Sequence, residues 1–384
     1  MPRISRATRP ATALLLAASL TAVGCSTGER PSRERSIAFS DARGMERAEL
    51  VTETELQRIT GVAVTDDGRL FVNAPRWAET HDASVYEVKG SAFRVWPNRW
   101  MNRWEPNGGQ DPAERFICVQ SVTADDQGHL WVLDPAAPSF QGPVPGGPKL
   151  IRFSLAGDDV VRTYRFDRSI APGGSYLNDV RVDTRDNTAF ITDSGLGALI
   201  VVHLDSGRSY RLLADHPSTK SDPEFVPVIG GARWIRGNAV PQVHADGIAI
   251  EREGDGSEGW VYWQALTNNR LYRLPMSALK QDPPDEQAVI EAIEDLGETV
   301  VTDGMEIDSA GNLYFSALER DAVVVRFPTG ELRTLAQGPE LSWPDSFAWG
   351  PDGWLYVTTA RIHEGDLPRG PFGVWRIRPA APRP

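Results

Sequence analysis

Six segments of this chain share one pattern, and that repetition limits the fold more than any other feature of the sequence. Each opens on a polar residue, runs through a short apolar strand, turns at an Asp- or Gly-containing stretch and enters a second strand carrying an aromatic. The copies are Thr60 to Phe71, Gln120 to Trp131, Asn178 to Phe190, Asp246 to Tyr262, Asp303 to Tyr314 and Asp345 to Tyr356. Polar residue and aromatic lie 11 positions apart in four copies, 12 in the third and 16 in the fourth, where the turn Arg252 to Gly259 is longer. Asp67-Gly68, Gln127-Gly128, Ala310-Gly311 and Asp352-Gly353 put glycine where a tight hairpin needs positive φ. Alternating apolar and polar residues flank those turns, as half-buried strands require. A helical pattern is confined to Pro284 to Leu296.

The copies begin 42 to 68 residues apart, long enough for four strands and an inserted loop each. The reading is an all-β chain folded as a six-bladed β-propeller. Its 12 Trp suit the flat faces between blades. Gly373 to Arg378 reads as a last strand and Ala48 to Thr52 as an early one, and the two are expected to meet in one blade. The run Pro135 to Pro148 is a candidate linker between two β domains, but the repeat continues past it at nearly the same period. A single domain, 43–384, follows.

The N-terminus reads as an export segment. Arg3, Arg6 and Arg9 precede an apolar stretch, Ala11 to Val23, too short to span a bilayer as a mature helix. Ala22-Val23-Gly24-Cys25 resembles a bacterial lipobox, which implies a signal peptide over 1–24 and a lipid on the Cys25 thiol. Ser26 in place of Asp resembles outer-membrane sorting in a Gram-negative cell. Residues 25–42, rich in Ser, Arg, Glu and Gly, read as a flexible tether. The expectation is an exported, envelope-anchored monomer, periplasmic or on the outer surface, that touches membrane only through its lipid. The formal net charge of −12 becomes more negative once three arginines are removed, which excludes nucleic acid as a partner. Cys118 is the one remaining cysteine, so no internal disulfide forms, and Phe116 to Val119 reads as a buried strand.

Several stretches are familiar together: Tyr176 to Asp183 with Ala189 to Ser194, Ala245 to Ala249 with Trp263 to Arg273, Gly304 to Asp308 with Asn312 to Ala317, and Trp343 to Trp349 with Leu355 to Thr358. In order and spacing they resemble the Yellow/major royal jelly protein family, from about residue 58 to 363. The resemblance implies a propeller but no single activity. Some insect members are associated with dopachrome conversion, salivary members bind biogenic amines, and royal jelly members are nutritive or structural. Bacterial relatives are named by analogy as dopachrome-tautomerase-related proteins or gluconolactonases. Fold analogy does not fix chemistry.

The aligned repeats bring Thr60, Gln120, Asn178, Asp246, Asp303 and Asp345 to the start of each innermost strand, around one mouth of the channel, with Asp179 and His244 as neighbours. Carboxylates this close repel unless protonated or neutralised. A hard cation such as Ca²⁺ takes oxygen ligands of this kind. The ring is also similar to the metal site of regucalcin, gluconolactonase and paraoxonase propellers, which implies Asn178, Asp246 and Asp303 as metal ligands. The pattern departs from theirs at Thr60, where an acid is wanted, and in lacking a clear His dyad. Two other roles stay open: capping of turns by strand-start Asp and Asn, and direct capture of a cationic ligand. His244 could reach the mouth or belong to a surface loop, and the other five histidines show no zinc-ligand spacing. The Trp-rich insertion Trp96 to Trp104 could cover the mouth or plug a gap between blades. No nucleophile elbow, phosphate loop or nucleotide fingerprint is present. The resulting expectation is small-molecule binding at the channel mouth through a divalent cation. The alternative is a metal-dependent, lactonase-like hydrolase or a dopachrome-type isomerase, with no catalytic residue assigned.

Overall fold

Each repeat supplies the two inner strands of a four-stranded antiparallel sheet, and six such sheets surround one axis. The computed structural model describes residues 39–40, 45–55, 57–78, 80–252, 258–365 and 370–379; the expected signal peptide and Cys25 lie outside them. The innermost strands, in blade order, are Val62–Val64, Ser121–Ala124, Leu177–Asp183, Ala245–Glu251, Thr302–Ile307 and Pro344–Trp349. Each packs beside the next, and the sixth packs beside the first, so the ring closes.

Closure within the sixth blade uses both ends of the chain. Glu49–Thr54 pairs antiparallel with Phe372–Ile377, which makes this early strand the outermost member of the last sheet. Phe39–Ser40, inside the stretch expected as tether, pairs in parallel with Leu332–Gln337 as a fifth strand of the fifth sheet. The helical pattern after Pro284 is realised as Glu286–Glu291, with the Asp285 carboxylate accepting from Gln287 N and Ala288 N, and the chain then forms the outer strand Glu294–Glu298.

The repeat aromatics occupy one register position in every blade. Phe71, Trp131, Phe190, Tyr262, Tyr314 and Tyr356 stand opposite Ala63, Thr123, Arg181, Ala249, Glu306 and Ala348 on the inner strand. The first five are buried and Tyr356 is half-buried. Apolar clusters fill all six interfaces between consecutive blades; the one joining the sixth to the first holds Val374, Phe372, Val72 and Tyr86. Burying each such large side chain contributes roughly 1.5–3 kcal/mol, and this lateral packing holds the ring together.

Two residues beyond each aromatic, the second strand carries a polar clip in five of the six blades. Asn73 Nδ2 donates to the carbonyl of Gln120 at 2.9 Å, Thr192 Oγ1 to that of Asp246 at 2.6 Å, and Gln264 Nε2 to that of Val300 at 2.7 Å. Thr358 Oγ1 donates to the carbonyl of Thr60, and Ser316 Oγ accepts from Asp303 N and Gly304 N. Four of these clips bind a blade to the next, at its inner strand or at the segment just before it, where buried backbone carbonyls need donors. Glycine is required at the closest approach: a Cβ on Gly247 or Gly304 would collide with the carbonyl oxygen of Asp303 or Asp345.

The Trp-rich insertion plugs a gap. Trp96, 3% exposed, packs edge-on against Phe71 of the first blade and Phe153 of the second, at 5.2 and 4.8 Å. Trp104 is buried beside Arg76, and Trp100 is 55% exposed under Arg115. Cys118 is fully buried as expected, but it sits in the loop that enters Ser121–Ala124 rather than in a strand. Burial pushes its thiol up to about 12, which leaves it protonated and unreactive.

Candidate functional site

The innermost strands of blades three to six do not run straight into the sheet. Their register slips between Leu177 and Val180, Ala245 and Ile248, Thr302 and Met305, and Pro344 and Phe347. Each slip contains one aligned polar residue and its successor: Asn178-Asp179, Asp246-Gly247, Asp303-Gly304 and Asp345-Ser346. A bulge re-aims side chains away from the pleat. Here it accompanies four buried polar side chains on one cavity.

That cavity, about 350 Å³, is floored by Gln120, Asn178, Asp246, Asp303 and Asp345. Thr60 does not reach it: the residue is fully buried and its hydroxyl accepts from Asn73 Nδ2 at 2.9 Å. Arg58, two residues earlier, lines the cavity from the first blade. Asp179 is buried beside the floor without lining it. His244 does not line it either; its Nδ1 accepts from Ser221 N at 3.0 Å, and burial pushes the ring below the usual histidine range.

The walls come from outside the repeats. On one side Trp77 stacks on Phe140 at 5.1 Å and Phe140 leans on Tyr176 at 5.0 Å. Across the cavity Trp234 meets Trp343 edge-on at 5.2 Å, and Trp343 lies flat against His363 at 5.8 Å. Phe140 is 61% exposed, so much of its ring faces solvent at the rim. Three lining residues, Ser139, Phe140 and Trp343, hold φ between 51° and 57°, a region costly for bulky side chains.

Hydrogen bonds fix the floor. Trp77 Nε1 donates to Tyr176 Oη at 2.7 Å, and Tyr176 Oη donates to Gln120 Oε1 at 2.8 Å. That chain leaves the Gln120 Nε2 group as its remaining donor. Asn178 Nδ2 donates to Asp246 Oδ1, while Asn178 Oδ1 is buried without a hydrogen-bond partner. Trp343 Nε1 donates to Asp303 Oδ2 at 2.7 Å, and Ser346 Oγ to Asp345 Oδ1 at 3.1 Å. Among the described residues, the donors to these three carboxyls are side chains, so turn capping is not their role. Asp134 and Asp193, by contrast, cap backbone at the blade entries. Asp134 accepts from the backbone of Ile117, Cys118 and Ala136 and from Lys149 Nζ, and Asp193 from the backbone of Tyr176, Gly195 and Leu196.

Burial dominates the electrostatics. It raises the carboxyls of Asp246 and Asp345 well above the usual range, with repulsion from Asp303 and Asp179 adding to it. Asp303 is raised to about 7, again by burial, and the Trp343 hydrogen bond pulls the other way. The Asp246 and Asp303 carboxyls also act on one another, Asp303 raising Asp246 and Asp246 pulling Asp303 down. Two arginines adjoin the ring. Arg58 favours the ionised form of Asp345, and Arg181 that of Asp179. Arg181 crosses the channel below the floor, donating to the carbonyl of Met305 at 2.6 Å and facing Glu306 at 3.8 Å.

A cation would find oxygen donors here. Among the described residues no three His, Cys, Asp or Glu side chains converge at ligating distance, so a metal would rest on a carboxylate pair, the Asn178 carbonyl and water. The unpartnered Asn178 Oδ1 is the atom that fits such an ion.

No curated protein matches the sequence. Among solved structures, the fold is similar to a streptogramin B lyase, with TM-score 0.51 and 11% identity over 87% of this chain and 98% of that one. It is similar to regucalcin from Agrobacterium tumefaciens, described as a calcium-binding protein, with TM-score 0.52 and 15% identity over 87% and 95%. A gluconolactonase from Xanthomonas campestris gives TM-score 0.53 and 12% identity over 87% and 89%. At these identities the likeness is one of fold. The sequence itself carries the closer relationship: the major royal jelly protein profile matches residues 117–348, from the entry to the second blade through the inner strand of the sixth, and the chain belongs to that family.

Proposed function

We propose that this propeller binds a small cationic molecule at the channel mouth, with the carboxyls of Asp246, Asp303 and Asp345 as its counter-charge. The observation behind this reading is the buried acid cluster on the floor of an aromatic-walled cavity, at the small end of the volume range for ligand pockets. Aromatic faces attract cations, and burial strengthens their attraction to the acids. Without a ligand, the floor carries protons; a ligand cation would displace them. Small-amine salts should raise the melting temperature in the presence of chelator, and Asp246→Asn and Asp303→Asn should abolish that rise while remaining folded. If no amine shifts the melting curve, this reading fails.

A second reading places Ca²⁺ on Asn178 Oδ1, Asp246 and Asp303, and rests on that unpartnered oxygen. Such an ion would polarise a lactone carbonyl or activate a water, as in a lactonase-like hydrolase. A dopachrome-type isomerase would use the same carboxyls for proton transfer. Calcium-dependent stabilisation with lactone turnover would favour the hydrolase. We also propose that the chain is tethered to the cell envelope through Cys25; Cys25→Ser should abolish lipid labelling, and a wild-type protein free of acyl chain by mass spectrometry would contradict this.

A further inference from the structure

The cavity that we propose to bind a cation is not uniformly acidic. Arg58 and Arg236 both line it, and both guanidinium groups are tied to a single turn, Ile362–Glu364 with Gly365. Arg58 Nη2 donates to the carbonyl of Gly365 at 2.6 Å, and Arg236 Nη2 to the carbonyl of Ile362 at 2.8 Å. Two residues far apart in sequence are thus drawn to one side of the mouth. The turn's own acid, Glu364, is engaged by Arg361 at 3.3 Å. Ile362 itself lines the cavity, so the turn carrying these anchors borders the bound space.

The cavity therefore presents acids on its floor, two guanidiniums at one flank and aromatic slabs on facing walls. Arg58 also lies close enough to Asp345 to act on its charge, so the basic flank and the acidic floor adjoin. A purely cationic ligand would leave the arginines unused and be repelled by them. A purely anionic one would be repelled by the floor. A molecule with an ammonium and a carboxylate on one carbon matches both, and a flat ring on the same molecule fills the space between the aromatic walls.

Resting on the proposed binding function, we infer that the ligand is a zwitterion of the aromatic α-amino acid class. Its ammonium lies on Asp246, Asp303 and Asp345, its carboxylate lies against Arg58 and Arg236, and its ring lies between the Phe140 and Trp234 sides of the cavity. Guanidinium–carboxylate contacts are charge-assisted and geometrically selective, so the carboxylate gives discrimination as well as affinity.

The test uses three probes with one ring: L-tryptophan, tryptamine, which lacks the carboxylate, and indole-3-propionate, which lacks the ammonium. Calorimetric titration of the folded protein should give L-tryptophan at least about tenfold tighter than either analogue, the loss expected for one missing charged contact. Arg236→Gln, at an exposed position, should weaken L-tryptophan binding and, by removing a repelling charge, bind tryptamine at least as tightly as wild type does, so that the preference for L-tryptophan is lost. Equal binding of tryptamine and L-tryptophan to the wild type would overturn the carboxylate subsite while leaving the cation site standing. Binding of none of the three would overturn this inference, and Ca²⁺ or aliphatic amines tested in parallel would report separately on the underlying site.

Discussion

The indole of Trp343 donates a 2.7 Å hydrogen bond to Asp303 from a backbone held at φ 52°, a conformation that a bulky side chain adopts only when its surroundings impose it. Trp343 is fully buried, and it is also a wall of the cavity. One side chain thus shapes the bound space and favours the ionised form of the acid beneath it, against the effect of burial. Trp343→Phe keeps most of the wall and removes the donor. It should destabilise the fold by about 1–3 kcal/mol, the cost of leaving a buried group unpaired. Chemical denaturation of the two proteins measures it.

The acid cluster gives stability an unusual dependence on pH. Asp303 is raised to about 7 in the folded protein, against about 3.9 for an unfolded aspartate. The folded state therefore binds more protons between those values, and this group's contribution to stability, complete below about pH 4, is lost as pH rises through 7. Asp246 and Asp345 are raised as well and act in the same direction. Subtracting the unfolding free energies of Asp303→Asn from wild type should give a difference that falls steadily from pH 4 to 8. A flat difference would mean that Asp303 is ionised throughout.

Blade packing should show a graded response at equivalent positions. Phe71 is fully buried whereas Tyr356 is half-buried, although both occupy the same register. Phe71→Ala should cost about 3–5 kcal/mol and Tyr356→Ala clearly less. Urea midpoints with unchanged slope would report the difference.

Cys118 offers a probe of the second blade. Its thiol is fully buried and held protonated, so alkylating reagents should fail to modify the native protein and react once it unfolds. Rapid native labelling would show that the entry to Ser121–Ala124 opens locally.

Much of this architecture was legible because a propeller repeats its chemistry. The polar–aromatic spacing located all six blades, and the strand pairing of Glu49–Thr54 with Phe372–Ile377 closes the ring between the two segments that lacked a repeat partner. Gln120, Asn178, Asp246, Asp303 and Asp345 could be brought to one cavity because equivalent positions meet near the axis. Thr60 aligned equally well yet does not line the cavity, since the hydrogen bond it accepts from Asn73 holds it in the blade. The walls were not legible. Trp77, Phe140 and Trp234 lie in loops that follow no period, and only tertiary packing brings them together. The Trp-rich insertion drew attention through composition, but Trp96 and Trp104 serve the blades. Arg58 and Arg236 meet through the carbonyls of one turn, which no spacing in the sequence encodes.

The most direct test of the acid floor as the binding site is calorimetric titration of wild type, Asp246→Asn and Asp303→Asn with tryptamine and, separately, with Ca²⁺. Each variant removes one ionisable carboxyl from the cluster while preserving shape. Wild type should bind at least one of these cations saturably, and both variants should lose that binding at unchanged folding by circular dichroism. Binding that survives both substitutions, or a wild type that binds neither, would contradict that role for the floor.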